Sequence, residues 1–171
     1  MSPRPLFDFS SAGDDDPAAW RSIDDPVMGG ISESDFRSTE PGAAFTGTVS
    51  LEHGGGFASV RAPDASYDLS DARGLALRVR GDGKRYWCTF YTADGGPVSY
   101  RVPMEPPTEW TTVTVTFDDL IPYRRGTTHP DAPRFNPGRV TSLGFLIADE
   151  QEGPFRLEIS WIRSLRDNTD G

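Results

Sequence analysis

The sequence predicts an all-β protein, built as a sandwich or a barrel. Three observations carry that prediction. Nine or ten short runs alternate apolar and polar residues with a period of two, the pattern of half-buried strands. No segment sustains a 3.6-residue period. The 18 glycines and 15 prolines are spread along all 171 residues, so they punctuate turns instead of forming a linker. Short, closely spaced strands with turn signals between them belong to sandwiches and barrels.

The runs come in order. Leu6 to Phe9 is the first. Asp16 to Ile23 then offers one or two helical turns, with Asp16 as N-cap and Pro17 at the first helical position. Ala44 to Leu51 alternates with Phe45, Val49 and Leu51 on one parity, and Gly56 to Arg61 follows. Leu75 to Arg80, Arg85 to Tyr91 and Val98 to Val102 are separated by Gly81-Asp82-Gly83 and Asp94-Gly95-Gly96. Both separators suit hairpins, since glycine supplies positive φ, and the three runs are expected to form one antiparallel meander. Trp110 to Phe117, Val140 to Ala148 and Phe155 to Leu165 complete the set. Asp118 to Tyr123 reads as a short turn. Pro122, Pro130, Pro133 and Pro137 make Pro122 to Gly138 a long irregular loop. No internal repeat appears. The chain reads as one domain over residues 1–171, with its core at about 7–165 and a polar tail at 166–171.

Parity divides the strands into faces. Leu75, Leu77 and Val79 face one way, Arg78 and Arg80 the other. Tyr86, Cys88 and Phe90 oppose Arg85, Trp87, Thr89 and Tyr91, with aromatics on both parities. Thr111, Val113, Val115 and Phe117 oppose Trp110, Thr112, Thr114 and Thr116. Phe155, Leu157, Ile159 and Trp161 read as core, with Arg156, Glu158 and Ser160 opposite. One sheet is therefore expected to present a second face of arginines, threonines and aromatics. The candidate binding residues are Arg61, Arg78, Arg80, Trp87, Tyr91 and Arg101. Rings and guanidinium groups on a broad face suit sugars, peptides or another protein. The competing reading is a solvated face whose arginines pair with acids and whose Trp87 is covered by a loop.

Composition excludes several classes. The chain carries 26 Asp and Glu against 17 Lys and Arg, a net charge of −9, which argues against a nucleic-acid backbone binder. Lys84 is the one lysine among those cations. The acidity reads as a host-driven solvated surface, with a basic partner as the alternative. A single cysteine allows neither an internal disulfide nor a cysteine cluster for a metal. Two histidines, His53 and His129, leave little for histidine catalysis or a zinc site. No stretch is long enough to insert in a membrane. Met1 to Phe9 lacks an apolar run and is not a signal peptide, so a cytoplasmic place is expected.

Local motifs point to no catalysis. Cys88, inside a strand, reads as a buried, inert thiol. No Gly-x-Ser-x-Gly turn occurs. His53 before Gly54-Gly55-Gly56 reads as a flexible hairpin ahead of a strand, and no phosphate-loop lysine accompanies it. Asp24-Asp25 offers the start of a structural calcium site, completed by Glu158 or Asp149, against the simpler reading of a capped turn before Pro26. No other cofactor is expected.

The stretch Trp20-Arg-Ser-Ile-Asp-Asp-Pro-Val-Met-Gly-Gly-Ile-Ser32 resembles the signature of the complex I intermediate-associated protein family. The likeness continues through Phe45-x-Gly47-x-Val49-Ser50-Leu51 and Gly55-Gly56-Phe57-Ala58-Ser59-Val60-Arg61. It goes on through Leu77-Arg78-Val79-Arg80-Gly81-Asp82-Gly83-Lys84-x-Tyr86 and Gly126 to Leu143-Gly144-Phe145-Leu146-Ile147-Ala148-Asp149 and Gly153-Pro154-Phe155-x-Leu157-x-Ile159. It covers about Phe7 to Leu165.

The resemblance implies a jelly-roll β-sandwich of the galactose-binding-like type, related to carbohydrate-binding modules. It implies a non-catalytic assembly factor that acts as a chaperone, with a protein partner such as a membrane-complex assembly intermediate. The alternative it leaves is a carbohydrate-binding module with a glycan on the arginine and aromatic face. The absence of a basic amphipathic targeting segment departs from mitochondrial members and implies a bacterial or other non-mitochondrial origin. The signature loop, with Asp25, Val27, Met28, Gly29 and Gly30, has two readings. Met28 and the glycines suit close approach of a partner. Alternatively Trp20, Val27, Met28 and Ile31 seal one end of the sandwich.

Overall fold

A computed structural model of the chain describes residues 5–10, 20–24, 33–39, 42–49, 58–95, 98–124, 127–128, 131–148 and 153–166. They form two antiparallel sheets packed face to face, as the all-β prediction requires. The strands are β1 (Pro5–Asp8), β2 (Arg21–Asp24), β3 (Glu33–Thr39), β4 (Gly42–Val49), β5 (Ala58–Arg61), β6 (Ala72–Arg80) and β7 (Tyr86–Thr92). They continue as β8 (Ser99–Met104), β9 (Thr111–Thr116), β10 (Ile121–Arg124), β11 (Thr127–Thr128), β12 (Val140–Ile147) and β13 (Gly153–Arg166). The six-stranded sheet runs β3-β4-β13-β6-β9, with β1 also on β13; the seven-stranded sheet runs β11-β10-β8-β7-β12-β5-β2.

Inward residues follow the period-two pattern. Leu75, Leu77 and Val79 of β6 meet Tyr86, Cys88 and Phe90 of β7, all fully buried. Phe45, Leu157 and Ile159 on one sheet and Leu143, Phe145 and Ile147 on the other complete the middle. One end is an aromatic cluster. Trp20 lies 4.9 Å from Phe36, 5.0 Å from Phe7 and 5.6 Å from Phe9, ring centre to ring centre. Trp20 therefore belongs to the core, as the sealing reading expects. At another edge Phe90, Tyr100 and Phe117 hold Phe135 at 5.0–5.6 Å. The Tyr100 hydroxyl donates to Pro133 O at 2.6 Å, which fixes the proline-rich segment over that cluster.

Several expectations are corrected. Leu75 to Val102 is not one meander: β6 lies in the six-stranded sheet, and β7 and β8 pair in the other. Gly81-Asp82-Gly83 is a crossover between sheets, not a hairpin. Asp82 makes it one. Its Oδ2 accepts the Arg156 N–H of β13 at 2.7 Å, and its Oδ1 accepts the buried Tyr86 hydroxyl at 2.9 Å. Gly81 packs against the Pro106 segment so closely that a Cβ would stand 2.7 Å from Pro106 O. Gly83 supplies the positive φ, +89°. Trp161 is not core. The ladder slips between Ile159 and Trp161, so Ser160 is extra, Trp161 turns outward and Ile162 fills the interior. Arg21–Asp24, at the end of the expected helix, is a strand on β5. Ile121–Arg124 and Thr127–Thr128 form strands inside the expected turn and loop, while Phe117–Asp119 is the short turn itself.

Candidate functional site

Residues directly opposite in an antiparallel ladder share a face. On the outer face of the seven-stranded sheet, Arg61, Gly144, Thr89, Arg101 and Ile121 form one row across five strands. Ser59, Leu146, Trp87 and Pro103 form the next. Ser142 stands beside Tyr91, and Ser99 beside Tyr123. Arg21 extends the first row at the β2 edge. The described positions named here hold three arginines and no acid, in a chain of net charge −9.

The side chains interlock. The Arg61 guanidinium lies 3.7 Å from the centre of the Tyr91 ring, and Arg101 lies 4.6 Å from that of Tyr123. Trp87 meets Tyr123 edge-on at 5.6 Å. Arg101 Nε donates to Ser99 Oγ at 3.0 Å. Arg61 Nε is buried and has no hydrogen-bond partner among the described residues. Between Arg61 and Thr89 the floor is Gly144, where a Cβ would stand 1.9 Å from Val60 O, so no side chain fits there. Ile121, 38% exposed, is the exposed large hydrophobic of the described residues, and it too lies on this face.

A family model described as Complex I intermediate-associated protein 30 matches residues 7–159. The chain belongs to this family. The mouse (Mus musculus) mitochondrial complex I intermediate-associated protein 30 is 29% identical over 103 residues. That match spans 57% of this chain but only 31% of the mouse protein. Among solved structures, the family 11 carbohydrate-binding module of a cellulosomal cellulase of Clostridium thermocellum has TM-score 0.66 and 13% identity, covering 98% of this chain and 96% of that one. A structure of the family 11 module with a β-1,3-1,4-mixed-linked tetrasaccharide has TM-score 0.60 and 14% identity, covering 87% and 91%. The agarase AgWH50C has TM-score 0.63 and 15% identity over 98% of this chain and 25% of its own. At such identities the likeness is one of fold, and it supports the galactose-binding-like sandwich.

In this family domain the six sequence candidates do not share one face. Arg61, Trp87, Tyr91 and Arg101 come together on the seven-stranded sheet. Arg78 and Arg80 lie on the outer face of the other sheet, because the crossover at Asp82 separates them. There Arg80 Nε donates to Glu158 Oε2 at 2.7 Å and Arg156 Nη2 to Oε1 at 3.2 Å. Burial pulls the Glu158 carboxyl up, and the two arginines outweigh it, so the group sits below its ordinary 4.5. Arg80 also lies 5.0 Å from the Trp110 ring and Arg163 lies 3.9 Å from the Trp161 ring.

Burial alone pushes the Cys88 thiol up to about 12, which fits an inert thiol. Glu158, a proposed calcium ligand, is engaged by two arginines instead. Among the described residues no group of three His, Cys, Asp or Glu is placed to hold a metal. Asp25, Val27, Met28, Gly29, Gly30, Ile31, His53, Gly54-Gly55-Gly56 and Asp149 lie outside the described residues, as does the side chain of Asp24. Tyr123 and Ile121 were not among the sequence candidates, since β10 was hidden by its proline.

Proposed function

We propose that this chain is a non-catalytic binding domain that holds a protein partner while a larger complex, complex I or another membrane complex, is assembled. The observation that supports it is the face that brings Arg61, Arg101, Trp87, Tyr91 and Tyr123 together. Arginine, tryptophan and tyrosine are the residues most enriched in binding hot spots. Five strands at roughly 4.8 Å spacing make a face about 20 Å wide. That suits the centre of an interface, which on a standard partner covers roughly 800 Å². The guanidinium groups over Tyr91 and Tyr123 occupy ring faces that a sugar would otherwise stack on.

The test is affinity capture from the cells that make this protein. The wild type is expected to recover membrane-complex subunits, and a combined Arg61→Glu, Arg101→Glu variant at least tenfold less. Recovery of no such subunit, or equal recovery by both, overturns the reading.

A second reading, a carbohydrate-binding module, is favoured by Trp87. Its indole stands on this face and meets the Tyr123 ring edge-on at 5.6 Å. Calorimetric titration with a mixed-linked β-glucan oligosaccharide tests it. Heat of binding that disappears in Trp87→Ala would favour it, and no heat would remove it.

A further inference from the structure

β9 ends the six-stranded sheet, and among the described residues only β6 pairs with it. An edge strand bonds inward through alternate residues and turns the remaining N–H and C=O groups outward. Proteins ordinarily blunt such edges with charged residues, proline or a bulge. The opposite edge, β3, obeys this with Glu33, Asp35 and Arg37 among seven residues. β9 does not. Trp110 to Phe117 contains four threonines, two valines and two aromatics, with no charge, proline or glycine. These residue types favour extended backbone. The β6–β9 ladder runs in unbroken register from Gly74–Thr116 to Val79–Thr111.

The face beside this edge is basic. Thr112 stands opposite Arg78, and Arg78 opposite Trp161. Thr114 stands opposite Ala76, and Ala76 opposite Arg163. Arg80 reaches Trp110. On β13, β6 and β9 the outward acid is Glu158, and it is already engaged by Arg80 and Arg156. Asp8 of β1 stands opposite Trp161 at the far end of the Arg78 row, and Arg163 lies on the Trp161 ring, so Arg78 is the cation of this row nearest the edge. A strand added to β9 lies roughly 10 Å from β6, within the span of an arginine side chain meeting a glutamate.

We propose that β9 is a strand-addition site for an extended, acidic segment of a protein partner. Main-chain hydrogen bonds to the open edge give it affinity, and a carboxylate facing Arg78 gives it selectivity. This adds a second surface to the protein-binding reading, on the sheet opposite the first, so one domain can hold two segments at once.

The experiment uses the full chain and a synthetic peptide alternating valine and glutamate over seven residues. A second peptide carries lysine in place of glutamate. With the glutamate peptide in excess, hydrogen exchange of at least two amides within Thr111–Thr116 is expected to slow tenfold or more. Arg78→Glu, and separately Thr112→Asp with Thr114→Asp, are expected to weaken binding at least tenfold, while Ser66→Asp, exposed and remote, leaves it unchanged. The threonine side chains at 112 and 114 are exposed, and Arg78→Glu gives an independent answer if the double variant fails to fold. Unchanged β9 exchange, equal binding of both peptides, or protection at another edge overturns the proposal. A doubled mass by light scattering, with β9 protected in the absence of peptide, overturns it in favour of pairing between copies of this chain. If the Arg61 and Arg101 variant loses its captured partner while β9 takes no peptide, the first surface stands and this one falls.

Discussion

Both outer faces of the sandwich lay arginines on aromatic rings, but among the described pairs only the six-stranded sheet also binds them to an acid. On the six-stranded sheet Arg80 and Arg156 converge on one carboxylate, Glu158, whose side chain is 6% exposed. They neutralise a buried charge, which is structural work. On the seven-stranded sheet Arg61 and Arg101 lie on tyrosine rings, and the rows around them hold no acid. The Arg101 Nε also donates to Ser99 Oγ, while the Arg61 Nε is buried without a hydrogen-bond partner among the described residues. An ion pair answers a need of the fold, whereas the Arg61 guanidinium on the Tyr91 ring leaves its Nε donor unpaired among the described residues. The residue type is the same, and the partner decides whether it is structural or functional.

The comparison depends on the crossover that puts β6 and β7 in different sheets, so the largest effect is expected there. Asp82→Ala removes the acceptor of the buried Tyr86 hydroxyl and of the Arg156 and Lys84 N–H groups. Leaving a buried donor unsatisfied and losing these bonds should cost about 2–3 kcal/mol. For a domain of this size that lowers Tm by roughly 5–10 °C. Thermal unfolding followed by circular dichroism measures it. Adding Tyr86→Phe should recover part of the loss, because the stranded donor is then gone. A change in Tm of a degree or less would mean that Asp82 does not hold the crossover.

That crossover also explains what the sequence left hidden. Period-two alternation made β6, β7, β8, β9, β12 and the first half of β13 legible, and with them most of the core. β3 escaped because Phe36 is the only apolar residue among its seven, so no alternation shows. The slip at Ser160 has no local signal. It is decided by pairing with β6, and it exchanges Trp161 for Ile162 in the core. Gly-Asp-Gly suits a hairpin and a crossover equally well, and the choice is made by an N–H of β13 more than 70 residues away in sequence. Four of the six candidate residues therefore share one face and two lie on the other sheet. The error concerns sheet membership, not which residues face outward.

Glu158→Gln is the next perturbation in size. Both arginines are partly exposed, at 38% and 52%, so they can turn to water when the carboxylate is lost. That reduces the cost from the value of a fully buried pair to about 1–2 kcal/mol. The pH dependence has a definite sign. The folded Glu158 pKa lies below its ordinary value, so the unfolded chain takes up this proton first as pH falls. The stabilisation is present above about pH 4.5 and drains away as pH drops through the folded value. Urea unfolding of both proteins at pH 7 and at about pH 3 should show a difference that shrinks in acid. A difference that stayed constant across that range would place the stabilisation in packing.

The smallest stability effect is expected at Arg61, and its smallness makes it decisive. Arg61→Ala removes a cation–ring contact worth about 0.5 kcal/mol at a partly exposed site. At Nε it strands no acceptor, because that atom has no hydrogen-bond partner among the described residues. It also relieves the chain of a buried donor left unpaired, which offsets part of the lost contact. Urea unfolding at pH 7 should therefore place Arg61→Ala within about 0.5 kcal/mol of the wild type, below Glu158→Gln. Partner capture should order the two variants the other way, with Arg61→Ala the more damaging. If Arg61→Ala instead unfolds the protein as readily as Glu158→Gln, its guanidinium holds the sheet together just as Arg80 does. The distinction between the two faces then disappears. A variant that is stable but cannot capture a partner is the outcome that only an arginine reserved for binding would give.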